Sequence, residues 1–247
     1  VRCKLIACYT DPNNTFRVGR TSCGQSRLTW IRDPQLMIEP RVTCYHIYYD
    51  DASKKKCPDG FTPLLNINKF PDFRESIPIL TCLKQKQWED NEFVGFFSPK
   101  LREKTGVGLK EITNAVARHG DVNSVILFTS HWPEAAFYLN PWEQGEIHNP
   151  GILSASRVLA NRTNRNIDLM TCCADLDQTV FSHFLVAQKP FWDEWEKTTQ
   201  TYLDMISRNI DVYNFKTTYK GDSLSIHPFV VERIPTMIII DNKITSI

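Results

Sequence analysis

The sequence predicts an α/β domain with a mixed, mostly parallel sheet flanked by helices. Short runs rich in β-branched and aromatic residues alternate with segments whose apolar residues recur every three or four positions, and this alternation is typical of strands connected by helices. The chain has 247 residues and is 42% hydrophobic, so it can bury a sizeable core. Because no internal repeat divides it, residues 1–247 are predicted to form a single domain.

Five runs have the composition of strands. Arg41–Tyr49 is rich in β-branched and aromatic residues, and Phe93–Phe97 is a short, continuous apolar run. The other three predicted strands are Lys4–Tyr9, Ser124–Thr129 and Phe184–Ala187. Asp50 and Asp51 follow directly on Arg41–Tyr49, so two carboxylates are expected at the carboxyl end of that strand. Lys54–Gly60 is predicted to be a solvated loop.

Helical periodicity accounts for four further segments. Three of them are Phe73–Gln85, Gly108–His119 and Ile152–Asn161. The fourth begins at Pro190, where a missing amide is tolerated, and its apolar stripe is expected to pack in the core. His131–Gly151 has no usable period and is predicted to be a long irregular segment, a feature that is usually functional. Pro228–Ile240 fits a helix or a strand equally well.

Charge and cysteine content narrow the classes of function. Lys and Arg number 29 against 28 Asp and Glu, a net charge of +1, which argues against a nucleic-acid binder. No apolar run approaches the ~18 residues of a membrane span, and no signal peptide is recognisable, so a cytoplasmic location is expected. The eight cysteines form no C-x-x-C pair, and at most one disulfide is predicted. Because the chain starts at Val1, it is expected to be one segment of a longer polypeptide whose other domains are its partners.

Two basic side chains follow the predicted strand Phe93–Phe97. Lys100 and Lys104 are four residues apart, so on a helix they share one face and can clamp a diphosphate. A solvated surface is the competing interpretation of such a loop. This surface is the more frequent outcome, but the expected position at the carboxyl end of a parallel strand, where open α/β sheets bind ligands, strengthens the case for the diphosphate.

The Trp- and Pro-rich segment Asn140–Gly151 concentrates ionisable side chains. Glu143, Glu146 and His148 lie within six residues and can supply a general base, a ligand for a divalent metal or hydrogen bonds to sugar hydroxyls. The alternative is a turn whose polar groups are all satisfied internally. Because long ordered loops carry function more often than not, a functional site is favoured here.

Two other acidic or charged motifs are candidates. Asp175 and Asp177 form a D-x-D, which can hold Mg²⁺ or Mn²⁺ against a diphosphate but occurs often by chance, so both are weak metal candidates. Glu232 and Arg233 form either an ion pair or a place where a cation meets a phosphate. Neither a Rossmann nor a P-loop glycine motif occurs.

Four blocks of the sequence are similar to a family of enzymes. The blocks EFVGFFSPKLREKTG (Glu92–Gly106), NPWEQGEIHNPG (Asn140–Gly151), SHFLVAQKPFWDEW (Ser182–Trp195) and HPFVVERIPT (His227–Thr236) resemble glycosyltransferases of bacterial and viral polysaccharide biosynthesis. The match extends over roughly residues 70–240. Within this family, the chain resembles one domain of a multi-domain chlorovirus-type glycosyltransferase.

The resemblance implies a GT-A-like fold and the transfer of a hexosyl or deoxyhexosyl group from a nucleoside-diphosphate sugar to a glycan hydroxyl, with a divalent metal (Mn²⁺ or Mg²⁺) as an optional cofactor. The acceptor hydroxyl needs a base, and the departing diphosphate needs positive charge. Glu143 or Glu146 is assigned as base or acceptor ligand, with His148 in the same loop. In the predicted donor site, the phosphates are bound by Lys100, Lys104 and Arg233, and Asp50 or Asp51 lies near the nucleotide or metal. The predicted acceptor site consists of Trp132, Tyr138 and Trp142.

Two other classes of function remain open from the sequence. The first is a non-catalytic module for glycans or partner proteins, with Trp132, Tyr138 and Trp142 as stacking platforms. The second is a metal-dependent phosphoester hydrolase that uses Asp175, Asp177 and His183. Binding of nucleotide sugars, measured with and without Mn²⁺, separates these alternatives from a transferase.

Overall fold

A computed structural model describes residues 40–67, 71–120, 123–128, 132–209, 212, 214–219, 221–242 and 244–247. The predicted strand Lys4–Tyr9 lies outside the described residues. Within them, the strands are β1 (Val42–Tyr48), β2 (Thr62–Leu65), β3 (Phe93–Phe97), β4 (Val125–Leu127), β5 (Leu185–Ala187), β6 (Lys216–Tyr219) and β7 (Asp222–Ser225). The longer helices are α2 (Ser76–Gln85), α4 (Leu109–His119), α6 (Pro141–His148), α7 (Ile152–Arg162), α8 (Lys189–Arg208) and α10 (Ile234–Asn242). The short helices are α1 (Asp51–Lys54), α3 (Leu101–Thr105), α5 (Trp132–Phe137) and α9 (His227–Val231), and a 3₁₀ turn covers Pro71–Phe73.

The first five strands form one mixed sheet in the order β2-β1-β3-β5-β4. β1 pairs in parallel with both β2 and β3, whereas β5 runs antiparallel to β3 and β4. The α/β class and the mixed sheet predicted from the sequence are therefore confirmed. Strands β6 and β7 form a separate antiparallel hairpin.

The central strand β3 is buried on both faces, as its all-apolar sequence requires. Val94 and Phe96 belong to the larger core on one face, and Phe93 and Phe97 to the smaller core on the other. Gly95 lies between them where a Cβ atom would come within 2.6 Å of the Phe97 ring and 2.8 Å of the Leu185 carbonyl oxygen. The sheet can pack this closely only because that residue is glycine.

Helix α8 anchors the larger core on the sheet. Its residues Phe191, Trp192 and Trp195 are fully buried, and the Trp192 indole N–H donates a 2.9 Å hydrogen bond to the Val94 carbonyl oxygen. The apolar stripe predicted from the sequence is therefore core, as expected. Helix α4 covers the opposite face with Ile112.

The predicted irregular segment His131–Gly151 is wrong, because it contains helices α5 and α6. Asn140 is the N-cap of α6, with its side-chain oxygen accepting from the amides of Trp142 and Glu143 at 3.0 and 2.9 Å. Pro141 then occupies the first helical position, where proline is favoured. Helix α6 lacks an apolar stripe because its buried face includes Gln144 and Gly145 while Ile147 is exposed, so periodicity alone could not reveal it.

The structure also bears on several smaller expectations. The ambiguous segment Pro228–Ile240 is helical, in α9 and α10. The predicted loop Lys54–Gly60 begins as the end of helix α1, and the edge strand β2 that follows was not predicted. The five described cysteines all carry free thiols, and no helix among the described residues is both long enough and apolar enough to cross a bilayer.

Candidate functional site

The carboxyl ends of β1 and β3 meet at one edge of the sheet, because the two strands are parallel neighbours. Open α/β sheets bind their ligands at such an edge. β1 runs into Asp50 and helix α1, and β3 runs into Lys100 and helix α3. The chain thus delivers the predicted acidic and basic candidates to the same edge.

The Asp50 carboxylate caps the start of helix α1. It is the N-cap of α1 and accepts 2.6 Å hydrogen bonds from both the Ser53 amide and the Ser53 hydroxyl. Both hydrogen bonds lower the pKa of Asp50, and the bond from the Ser53 hydroxyl has the larger effect. Asp51 is exposed in the first turn of the same helix. Asp50 therefore shapes this edge as a capping residue.

Lys100 and Lys104 lie on the exposed side of α3, as the four-residue spacing predicted. Lys100 is the N-cap of this helix, and the Lys104 ammonium group lies 5.7 Å from the centre of the Phe184 ring. Both lysines act electrostatically on Glu75, and Lys104 also acts on Glu232. Among the described residues, neither lysine has a carboxylate within ion-pair distance. Two cations thus face this edge without being neutralised.

Two carboxylates lie within electrostatic range of these lysines. Glu75 occupies the N-cap position of α2 without making a capping hydrogen bond, and Glu232 follows the last residue of α9. Both side chains are half-buried. Within the described part of the chain, neither carboxylate accepts a hydrogen bond or forms an ion pair. They are close enough to repel each other electrostatically.

Burial and mutual repulsion shift the ionisation of this pair. Burial, followed by repulsion from Glu232, raises the pKa of Glu75 to about 7 against the opposing pull of Arg74, Lys104 and Lys100. Burial also raises the pKa of Glu232, while Arg233 and Arg74 oppose the shift. A carboxyl group with a pKa near neutrality can both accept and release a proton at physiological pH.

This acid pair is not predicted by the sequence. Glu75 follows Arg74, which has a left-handed backbone with φ of 41°, and nothing in the local sequence marks either residue. Glu232 was noted only as a partner of Arg233. The two residues are far apart in the chain and come together because α9 packs on the 3₁₀ turn that precedes α2, where the rings of Phe73 and His227 stack with centroids 6.0 Å apart. No local pattern reveals this contact.

The structure places the three predicted catalytic residues of Asn140–Gly151 in helix α6. Glu143 is exposed and accepts a 2.6 Å hydrogen bond from the Leu139 amide. Glu146 accepts from the amides of Gly151 and Leu153 at 2.8 and 2.9 Å, and so closes the turn into α7. His148 is exposed at the end of the helix. The two glutamates are thus occupied in capping helix ends.

Arg233 and Trp142, predicted on phosphate and acceptor, are both buried. The Arg233 guanidinium donates to the carbonyl oxygens of Pro141 and Phe229 and to Gln144 Oε1, at 2.8, 2.9 and 3.1 Å. Burial lowers its pKa to about 10. Trp142 is fully buried in the larger core. Neither side chain can reach a ligand, so this part of the sequence prediction is corrected.

The remaining candidates are dispersed over the surface or belong to the core. Trp132 begins helix α5, and the Tyr138 ring meets the exposed Phe137 ring edge-to-face at 4.9 Å. Asp175 and Asp177 are exposed. His183 is buried against Trp195, and burial lowers the pKa of its imidazole to about 4. Within the described part of the chain, no three His, Cys, Asp or Glu side chains are placed to hold a metal ion.

The acid pair, the two lysines and Arg74 are called the edge cluster below. Its opposite charges interact electrostatically, and among the described residues they close no salt bridge. Comparisons with family models, with curated proteins and with solved structures found no match to this chain. The candidate function therefore depends on the cluster and on the four sequence blocks described above.

Proposed function

We propose that this protein is a glycosyltransferase that moves a sugar from a nucleoside-diphosphate sugar to a hydroxyl group of a glycan acceptor. The observation that carries the proposal is the edge cluster: a carboxyl group with a pKa near 7 and two unpaired lysines at the carboxyl edge of parallel strands. The resemblance of the sequence to GT-A-like glycosyltransferases supports the same reaction.

The cluster provides the two functions that sugar transfer requires. The acceptor oxygen bonds to the anomeric carbon while the bond from that carbon to the diphosphate oxygen breaks, and the acceptor proton passes to a base. Glu75 is assigned as this base, because its pKa near neutrality suits proton abstraction. Lys100 and Lys104 are assigned to the negative charge that develops on the departing diphosphate.

No resident metal is assigned to the described part of this site. Its carboxylates form no group that could hold an ion, and Asp50 is already committed to capping Ser53. The residues of the edge cluster that bind, orient and move protons are therefore assigned without a step through a metal. Donor binding measured with and without Mn²⁺ tests this assignment.

Titration with UDP-, GDP- and dTDP-sugars, followed by sugar transfer to glycan acceptors, tests the proposal. Lys104→Met should weaken donor binding, whereas Lys110→Met, a matched change of an exposed lysine on α4, should not. Glu75→Gln should keep donor binding but slow transfer by about 10²–10⁴-fold, the range for loss of a general base. If no nucleotide sugar binds, or if Glu143→Gln slows transfer more than Glu75→Gln, this assignment is wrong.

A glycan-binding module without catalysis is the second candidate. Phe137 is 79% exposed beside Tyr138, and exposed aromatic rings are typical platforms for apolar sugar faces. Glycan binding that is lost in Phe137→Ala, together with no binding of any nucleotide sugar, would favour this function over a transferase.

A further inference from the structure

We infer that the groove between helix α2 and edge strand β2 binds a small amphiphile with an apolar body and an anionic head group. The groove encloses about 460 Å³, which lies within the range of about 300–1,000 Å³ that is typical of small-molecule sites. It lies beside the edge cluster and shares only Arg74 with it. The inference holds whether or not the protein transfers sugar.

The walls of the groove are apolar and come from three elements. β1 contributes Tyr45, β2 contributes Leu64 and Leu65, and α2 contributes Ile77 and Pro78. Leu65 remains 49% exposed at the rim. An exposed apolar surface of this kind gains free energy when an apolar ligand covers it, at roughly 25 cal/mol per Å².

The floor of the groove is rigid. The Tyr45 ring stacks on Phe96 with centroids 5.1 Å apart and planes inclined by 10°. Phe96 in turn meets Trp192 of α8 edge-to-face at 4.9 Å. Because these rings belong to the packed core, the cavity is formed before a ligand arrives, which lowers the entropic cost of binding.

The charges around the groove specify the head group. Arg74 and Lys86 line it, and none of the described residues that line it carries a carboxylate. Lys86 is already paired with Glu92 at 2.8 Å. Arg74 is exposed, lies 5.2 Å from the centre of the Phe229 ring, and makes no ion pair within the described part of the chain. Its guanidinium fork matches a phosphate, sulfonate or carboxylate.

Protection of Cys82 from a thiol reagent provides a direct test. Cys82 lines the groove, whereas Cys173 is exposed elsewhere and serves as an internal control. Decyl phosphate, kept below its micelle concentration, should slow N-ethylmaleimide labelling of Cys82, read by mass spectrometry, and leave Cys173 unchanged. Along the series hexyl, octyl and decyl phosphate, affinity should rise about fourfold for each methylene group buried.

Variants locate the site and its head-group contact. Thr81→Trp, which fills the groove from an exposed helical position, should abolish protection, and Thr113→Trp on α4 should preserve it. Arg74→Gln should weaken binding of decyl phosphate at least tenfold but not that of uncharged decyl maltoside. If decyl phosphate fails to protect Cys82, protects it equally in Thr81→Trp, or binds no better than decyl maltoside in the wild type, the inference is overturned.

Discussion

Arg233 is the residue whose replacement tests the structural interpretation most directly. The sequence placed it on a phosphate, but the structure buries it with all three guanidinium nitrogens donating to Pro141, Phe229 and Gln144. It therefore ties α9 to helix α6. The replacement Arg233→Met keeps an unbranched side chain of comparable reach and removes every one of these hydrogen bonds.

The expected loss of stability follows from these contacts. Hydrogen bonds from a charged donor contribute about 1.5–3 kcal/mol each. Burial of the cation offsets part of this gain, as the lowered pKa of Arg233 indicates. The free energy of unfolding should therefore fall by about 3–5 kcal/mol, because three buried acceptors lose a charged donor at once. For a chain of this size the melting temperature should fall by roughly 6–20 °C.

Urea denaturation followed by tryptophan fluorescence, together with calorimetry, measures this loss. Arg157→Met is the matched control, because Arg157 is exposed on α7 and surface changes usually stay within about 0.5 kcal/mol. If Arg233→Met melts within about 2 °C of the wild type but loses binding of nucleotide sugars, the structural role is refuted and Arg233 returns to the donor site.

Three further perturbations probe other parts of the structure. The pKa of Glu75 is raised from 4.5 to about 7, so its contribution to stability is complete below pH 4.5 and is lost as the pH rises towards 7. Glu75→Gln should therefore flatten the pH dependence of the free energy of unfolding across this window. An unchanged slope would contradict the shift. Glu146→Gln should lower the free energy of unfolding by about 0.5–2 kcal/mol, because it weakens the cap of α7, and should leave turnover unchanged. A loss of turnover at unchanged stability would restore Glu146 as the catalytic candidate. Gly145→Ala places a Cβ atom 2.8 Å from an Arg233 nitrogen. The free energy of unfolding, measured by the same urea titration, should fall by about 1–3 kcal/mol. A neutral effect would mean that α6 and Arg233 separate easily.

Local sequence patterns predicted those elements that bury their own characteristic side chains. The β3 run was located to the residue, and α8 was predicted from its apolar stripe and its early proline. Strand β2 was missed because it is short, lies at the sheet edge and contains Pro63, features that weaken a strand signal. Helix α6 was missed because its buried face contains Gln144 and Gly145 and its exposed face contains Ile147, although Asn140 and Pro141 marked its start.

The α/β class, the central strand and the lysine pair at α3 could be read from local sequence, because each depends on neighbouring residues and on the pitch of a helix or strand. The set of charged groups that share the sheet edge depends instead on tertiary packing. The tertiary structure brought Glu75 and Glu232 within electrostatic range of Lys104 through the packing of α9 on the 3₁₀ turn before α2, and it buried Arg233. Electrostatic partners depend on distances in space and on desolvation, and neither is encoded in the residues next to them.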